Sequence, residues 1–435
     1  MKKILTIISC LIISAMALYG ANRENTLKVY NWADYIDETL LKEFENWYEE
    51  QTGEKVSIVY QLFDINEVML SKIELGKEDF DVVCPSDYII EKMLKLDLLL
   101  PIDRDFGNTP DYITNLSPYI VEKFNQIDGK GKNANEYAVG YMWGTTGILY
   151  NPKYVTREEA LSWDCLKNPK FAGKLFMKDS FRDVYTCLLI ALNKEKIESG
   201  EIDLKKLTFD ASDESIDMIE KYLQDVKGNV AGWEADFGKE MMTKEKGWLN
   251  LTWSGDAQWA KEEAEAIGVK LDYVVPHDGS IIWFDGWVIP KYARNVKAAR
   301  YFINFMCKPE NAIRNMNNIG YVSAIGGPDI LDAISDPTLF APEDASYFFG
   351  EAGKSACINP IQYPDAETIA RCGMEHDSGD RTEALLAMWS RVKGDNAGTT
   401  TYIIIGIAIV ALLAGFFAAN RDKKRKSARR RRRSR

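Results

Sequence analysis

The chain has 435 residues, 46% of them hydrophobic and 27% charged, with a formal net charge of −11, the balance of a globular body long enough for two or more lobes. Only two histidines, His277 and His376, are present, so a histidine metal site or a Ser-His-Asp triad is hard to build. Seven cysteines occur without a CxxC pair, which leaves zinc sites and thioredoxin chemistry unsupported, and hydrolytic chemistry is disfavoured with them.

Residues 1–21 have the layout of a secretory signal: Lys2 and Lys3, a largely apolar run from Ile4 to Leu18, and small residues at Ala15, Ala17, Gly20 and Ala21. Cleavage is expected near Ala17 to Ala21. Cys10 follows Ile8 and Ser9, but the apolar stretch before it is too short for a lipoprotein box and continues past it, so lipidation is not expected. Beyond the signal, Leu27 to Tyr30 reads as a buried strand. Asp37 is placed to cap a helix whose apolar face is Leu40, Leu41, Phe44, Trp47 and Tyr48 and which ends at Gly53. Val56 to Tyr60 is the next strand, Ile65 to Leu75 a second helix ending at Gly76, and Phe80 to Cys84 a third strand. This alternation predicts a parallel sheet, whose ligands sit outside the carboxyl ends of the strands. Asp34 and Tyr35 follow the first strand there, and Ser86 and Tyr88 the third.

The glycine-punctuated stretch Tyr141 to Asn151 reads as a crossing into a second lobe. In that lobe Lys174 to Met177 is a strand leading to Asp179-Ser180-Phe181-Arg182-Asp183, and Ile216 to Val226 fits a helix. Trp248 to Trp253 is a further strand, and Leu271 to Val275 runs towards Pro276-His277-Asp278-Gly279. The strand Ile281 to Ile289 returns to the first lobe, and helices follow, among them Val296 to Cys307. Two crossings between two α/β lobes make a hinge, and the cleft between them is where a small molecule would be enclosed.

The returning strand carries the lone carboxylate Asp285 between the indoles of Trp283 and Trp287. A buried unpaired charge is expensive, so such a strand implies a cationic partner arriving from elsewhere. Leu251-Thr252-Trp253-Ser254-Gly255-Asp256 repeats the pattern, and Val29-Tyr30-Asn31-Trp32-Ala33-Asp34-Tyr35 offers Trp and Asp a third time. Taken singly, each is more ordinary as a core Trp beside a loop Asp. Three strand exits that pair aromatic faces with carboxylates make a box for an ammonium group. Asp34, Asp183, Asp256 and Asp285 come from both lobes, so a cation bridging them would draw the lobes together.

Tyr402 to Ala419 is a charge-free run of 18 residues, roughly 27 Å long as a helix and sufficient to cross a bilayer. Eleven bases against the single Asp422 follow it, giving the tail about +10 and leaving about −21 for the remainder of a chain at −11. The positive-inside rule keeps this tail cytoplasmic and everything before Thr401 outside. An anchor gripping anionic headgroups accounts for the basic run in place, so a nucleic-acid partner is not expected; a sorting signal removed later stays open. Of the six cysteines outside the signal, Cys357 and Cys372 are candidates for pairing in an oxidising compartment.

Tyr30-Asn31-Trp32-Ala33-Asp34-Tyr35, Phe80-Asp81-Val82-Val83-Cys84-Pro85-Ser86, Tyr141-Met142-Trp143-Gly144, Trp283-Phe284-Asp285, Ile319-Gly320-Tyr321 and Tyr363-Pro364-Asp365-Ala366-Glu367 together closely resemble the polyamine-binding proteins of bacterial ABC importers, the spermidine and putrescine receptors. The resemblance runs from about Leu27 to Leu385. It implies a type II periplasmic binding protein fold: two α/β lobes joined by a hinge, here with a C-terminal transmembrane helix. The implied division is a signal at 1–21 and a solute-binding body at 25–393, with lobe 1 at about 25–140 and 284–320, lobe 2 at about 141–283 and the remainder C-terminal helices. A linker at 394–401, a transmembrane helix at 402–419 and a basic cytoplasmic tail at 420–435 complete it. Carried over by position, the aromatic walls fall on Trp32, Tyr35, Tyr88, Trp253, Trp283 and Tyr321, and the amine-binding carboxylates on Asp34, Asp183 and Asp285. Glu375 stands where spermidine receptors use an amide, Ser180 where they can have an acid, and Asp256 matches the putrescine receptors. Ala33 replaces a small hydroxyl residue common after the Trp.

The physical account of the residues agrees with that likeness. A diamine is an apolar rod charged at both ends, so rings line its middle and carboxylates hold its ends, each charge-assisted hydrogen bond contributing roughly 1.5 to 3 kcal/mol. The expected activity is a membrane-tethered, extracytoplasmic receptor, monomeric in its binding domain, that delivers putrescine or spermidine to the permease subunits of an ABC importer without cofactor or metal. Two alternatives compete with it. The same fold would serve a membrane-anchored sensor or another cationic solute, and a carboxylate pair beside tryptophans also suits sugar hydrolysis. The acids are spread around the cleft rather than paired, which disfavours an enzyme.

Overall fold

Two long strands, Ala138–Tyr150 and Ser280–Pro290, carry the fold, and every residue in both is buried. Asp285 is the one charged residue between them, as expected of strands covered on both faces. A computed structural model describes residues 23–394. The expected signal at 1–21, the 402–419 span, the tail at 420–435 and all but the first residue of the 394–401 linker lie outside the described residues. Among the described residues, no helix is long and apolar enough to cross a membrane.

The two strands pair antiparallel, from Ile282 opposite Thr145 to Val288 opposite Ala138, with a register shift between Asp285 and Gly286. Such a bulge bends the strand and re-aims its side chains, here at the carboxylate that the sequence singles out. Each strand serves both halves of one continuous sheet. Residues 142 and 143 of the first pair with Val322–Ser323, whereas residues 146–150 lie between Leu249–Trp253 and Asp272–Val274. The second strand meets Cys372–Gly373 at its start and Val83 and Leu99–Leu100 at its end.

Outward on one side come Val82–Val83, Thr26–Trp32 and Ser57–Phe63, mutually parallel. The Val82–Val83 strand is shorter than the predicted Phe80 to Cys84. On the other side lie Leu249–Trp253, Leu175–Lys178 and Val230–Glu234, also parallel. Helices join the strands as their periodicity predicts. Thr39–Thr52 buries Leu40, Phe44 and Tyr48 and ends at Gly53 in the left-handed conformation. Asp213–Val226 begins at Ser212, whose side chain accepts from the Ser215 amide, and buries Ile216, Ile219, Tyr222, Leu223 and Val226. Burial of each such side chain contributes about 1.5–3 kcal/mol, enough to fix the helix on the sheet.

Val296–Met306 packs on the first half, where the Phe302 ring meets Phe44 edge-on at 5.2 Å. The closing helix Thr382–Lys393 instead lies against Asp213–Val226 and Phe181–Leu192 of the second half, so the chain crosses once more after Cys372–Gly373. All six cysteines among the described residues are free, and the sequence-based pairing of Cys357 with Cys372 is not made. The Cys372 thiol donates to the Thr368 carbonyl at 3.2 Å instead.

Candidate functional site

The carboxyl ends of six strands converge on one cavity of about 340 Å³. Trp32 and Phe63 close two strands of the first half, Ser86 follows the third, and Lys178, Glu234 and Trp253 end the three strands of the second half. This is where parallel sheets hold ligands. All twelve side chains singled out from the sequence line it: Trp32, Asp34, Tyr35, Ser86, Tyr88, Asp183, Trp253, Asp256, Trp283, Asp285, Tyr321 and Glu375. Asp183 and Asp256 are held in the first turns of Phe181–Leu192 and Ser254–Ala266 rather than on the strands themselves. Among the described residues, no group of histidine, cysteine or acidic side chains is arranged to hold a metal ion.

Two glycines seat the aromatic walls. A Cβ on Gly144 would lie 2.6 Å from the Trp283 ring, and one on Gly255 would lie 2.3 Å from the Tyr321 ring. Both rings therefore rest directly on backbone, with Trp283 and Tyr321 centroids 5.7 Å apart and Tyr35 meeting Tyr321 edge-on at 4.9 Å.

At one end of the cavity three carboxylates gather without a cation bound to them. Asp285 is 6% exposed; its Oδ2 accepts from the Tyr35 hydroxyl at 2.7 Å and its Oδ1 has no partner. Burial pushes its carboxyl up to about 6, Asp183 adding to the rise, against the lowering influence of Tyr35 and Ser86. Glu375 is 4% exposed with Oε1 unpartnered, and burial, reinforced by Asp183 and Asp87, pushes it well above the usual carboxylate range. Asp183 accepts from Trp253 Nε1 at 3.0 Å and from the Ser180 hydroxyl; burial still raises it. The indole N–H groups of Trp32 and Trp283 also lack partners. Bare, buried carboxylate oxygens beside aromatic faces are built to receive a cation.

The other end is already neutralised. Sequence reasoning offers Asp256 as a carboxylate awaiting a counter-charge, but Lys178 Nζ lies 2.6 Å from its Oδ2 and Lys239 Nζ 3.5 Å from its Oδ1, which also accepts from the Tyr321 hydroxyl at 2.9 Å. Burial alone would raise Asp256, yet the charges of Lys178 and Lys239 outweigh it and hold the carboxyl below its usual range. Asp34 stands in the left-handed conformation at φ 49°, its side chain 72% exposed and 3.9 Å from Lys239 Nζ, so it marks the rim rather than the interior.

Arg182 was not predicted. Its guanidinium lies 4.5 Å from the Tyr88 ring centroid and donates to Glu67, Ser378 and Thr382. Lys178, Lys239 and Glu234 were likewise missed, although a lysine at the buried end of Leu175-Phe176-Met177-Lys178 is the same signal, with the sign reversed, as Asp285 in its strand. In all, ten carboxylates and four cations line the cavity, so the wall is acidic and favours a cationic occupant.

Comparison with known proteins agrees with this geometry. A family model described as bacterial extracellular solute-binding protein matches residues 40–337. The spermidine/putrescine-binding periplasmic protein of Escherichia coli K12 is 28% identical over 379 residues, covering 87% of this chain and 94% of that protein. The putrescine-binding periplasmic protein SpuD of Pseudomonas aeruginosa is 30% identical over 360 residues, covering 76% and 87%. Among solved structures, a Listeria monocytogenes chain assigned to a spermidine/putrescine ABC transporter superimposes with a TM-score of 0.66 at 30% identity, covering 85% of this chain and 99% of that one. The spermidine/putrescine ABC transporter substrate-binding protein of Streptococcus pneumoniae does so with a TM-score of 0.59 at 28% identity, with the same coverage.

Proposed function

The chain belongs to the bacterial extracellular solute-binding protein family, and on that premise we propose that it is a polyamine receptor that takes an elongated amine into this cavity outside the cytoplasm and passes it to an ABC-type permease. The observation that carries the reading is the pair of buried, unpartnered carboxylate oxygens, Asp285 Oδ1 and Glu375 Oε1, facing a cavity walled by tryptophan and tyrosine. A ligand ammonium supplies the missing counter-charge and hydrogen bonds, each contributing roughly 1.5 to 3 kcal/mol. The names of the relatives support the same ligand class.

In this reading the two halves of the sheet act as lobes, about 25–140 with 284–320 against about 141–283, and the shared strands Ala138–Tyr150 and Ser280–Pro290 form the hinge. Trp32, Asp34, Tyr35, Ser86 and Tyr88 face the ligand from the first lobe and Asp183 and Trp253 from the second, with Trp283 and Asp285 on a hinge strand. Tyr321 and Glu375 come from the chain after the second crossing. Closure around the amine is the signal read by the permease. The charge-free run at 402–419 and the basic tail support a tether that keeps the receptor at the membrane face. Isothermal titration of the purified protein with putrescine and spermidine should show binding that Asp285→Ala abolishes; equal affinity in the variant would refute the site.

A further inference from the structure

Trp253 and Asp256 were expected to hold a ligand's ammonium, and an ammonium is indeed there, but it belongs to the chain. Lys178 Nζ lies over the Trp253 ring at 4.1 Å from the centroid. Around it stand Asp256 Oδ2 at 2.6 Å, the Ala235 carbonyl at 2.9 Å and Glu234 Oε2 at 3.4 Å. An aromatic face and three oxygen acceptors are the complete requirement of an alkylammonium head, which has three N–H donors and no more. The Lys178 side chain is 0% exposed, so no donor of it remains for a ligand, and of the four carboxylate oxygens of the cage only Glu234 Oε1 makes no hydrogen bond.

We propose that Lys178 fills one ammonium subsite of the cavity from within and thereby sets the charge and length of the amine that the site accepts. This rests on the polyamine reading above and deepens it. With that cage closed, the positive charge of the ligand must be met by Asp285 and Glu375, whose bare oxygens face the cavity, and by Asp183, which lines it with them. A short diamine satisfies these acids and leaves its far end hydrated at the exposed rim, short of Lys239 and the Asp34 and Asp236 carboxylates beside it. A triamine brings a further ammonium towards Lys178 and Lys239, where both Asp256 oxygens are already engaged and the one bare oxygen, Glu234 Oε1, is crowded by Lys178 Nζ at 3.3 Å; a cation left unpaired in a closed site is rejected. Lys178 is thus a specificity-determining residue, and Asp256 a positioning residue that acts through it.

The test is titration of the full-length protein, in parallel with Lys178→Met, Lys178→Gln and Asp285→Asn, using butane-1,4-diamine and spermidine as probes. The wild type should favour the diamine by about tenfold or more, and Lys178→Met, which frees Asp256 and Glu234, should gain about tenfold in spermidine affinity and reverse the order. Lys178→Gln, which keeps a polar contact with the cage but removes the charge, should move the ratio in the same direction. An unchanged diamine-to-triamine ratio in Lys178→Met overturns the proposal, and the same result in Lys178→Gln does so if Lys178→Met does not fold. Asp285→Asn separates the two levels: diamine binding that survives it defeats the polyamine reading itself, whereas its loss beside an unchanged Lys178→Met defeats only the assignment of Lys178.

Discussion

The Tyr35 hydroxyl donates to Asp285 Oδ2 at 2.7 Å across 250 residues of sequence, and the same carboxylate keeps Oδ1 bare. The tyrosine orients the acid without neutralising it, and burial therefore lifts the carboxyl to about 6. A cationic ligand binds the ionised form. Affinity should accordingly be weak in acid, rise as pH climbs through about 6, and be about tenfold lower at pH 5 than at pH 7. Glu375, raised further by burial, extends the rise to higher pH. Titration near pH 6 in buffers of different ionisation enthalpy should show proton release on binding; proton uptake would contradict the assignment.

The same group makes the empty protein less stable than it need be. Because its folded carboxyl sits near 6 instead of 3.8, the folded state holds a proton that the unfolded chain gives up, so stability without ligand falls as pH rises between about 4 and 6 and is level above. Replacing the carboxylate by a neutral amide should therefore stabilise the ligand-free protein at pH 7.5, by up to ~3 kcal/mol for a shift of this size. Urea unfolding of Asp285→Asn without amine checks it, and the gain over wild type should shrink at pH 5.

How much of this was legible in the sequence follows from the range of the forces involved. Asp285 could be found because its strand is otherwise uncharged, and strands such as Thr26–Trp32 and Ser280–Pro290 are legible because their apolar pattern is local. The pairing of Asp256 could not, since Lys178 reaches it from a neighbouring strand and Lys239 from the helix Gly238–Thr243, and nothing in Trp253-Ser254-Gly255-Asp256 records their approach. Arg182 was overlooked for a similar reason: it stands in a helical turn, and its direction is set by Tyr88 and Glu67 from the opposite half.

That arginine leads to a third expectation. Arg182 Nε donates to Glu67 Oε1 at 3.1 Å and its guanidinium covers Tyr88, so one side chain of the second half holds two of the first. Tyr321 to Asp256 and Lys239 to Asp34 span the cavity as well. Removing Arg182 should shift the ligand-free protein towards an open arrangement, visible as a larger radius of gyration in small-angle scattering. Affinity should fall by about tenfold, the equivalent of one charge-assisted hydrogen bond. Arg182→Ala with unaltered scattering would show that this contact does not hold the halves together.

Gly255 allows the sharpest structural test, because its role is purely one of space. It lies in the first turn of Ser254–Ala266 with the Tyr321 ring pressed on its backbone, and an added Cβ would come within 2.3 to 2.4 Å of three ring atoms. Helical backbone would welcome alanine, which is more favourable than glycine in a helix by roughly 0.8–1 kcal/mol, so local propensity predicts stabilisation. Packing predicts the reverse, since overfilling a close-packed contact typically costs 1–3 kcal/mol. The ring cannot yield without carrying its hydroxyl off Asp256 Oδ1, where it helps hold the carboxylate that meets Lys178 and Lys239. Gly255→Ala should therefore lower the melting temperature by several degrees and weaken amine binding, while Tyr321→Phe, which keeps the ring and loses only the hydrogen bond, should be milder in stability. A Gly255→Ala protein more stable than wild type would mean that the ring is free to move and that the Trp283 and Tyr321 wall is looser than its contacts imply.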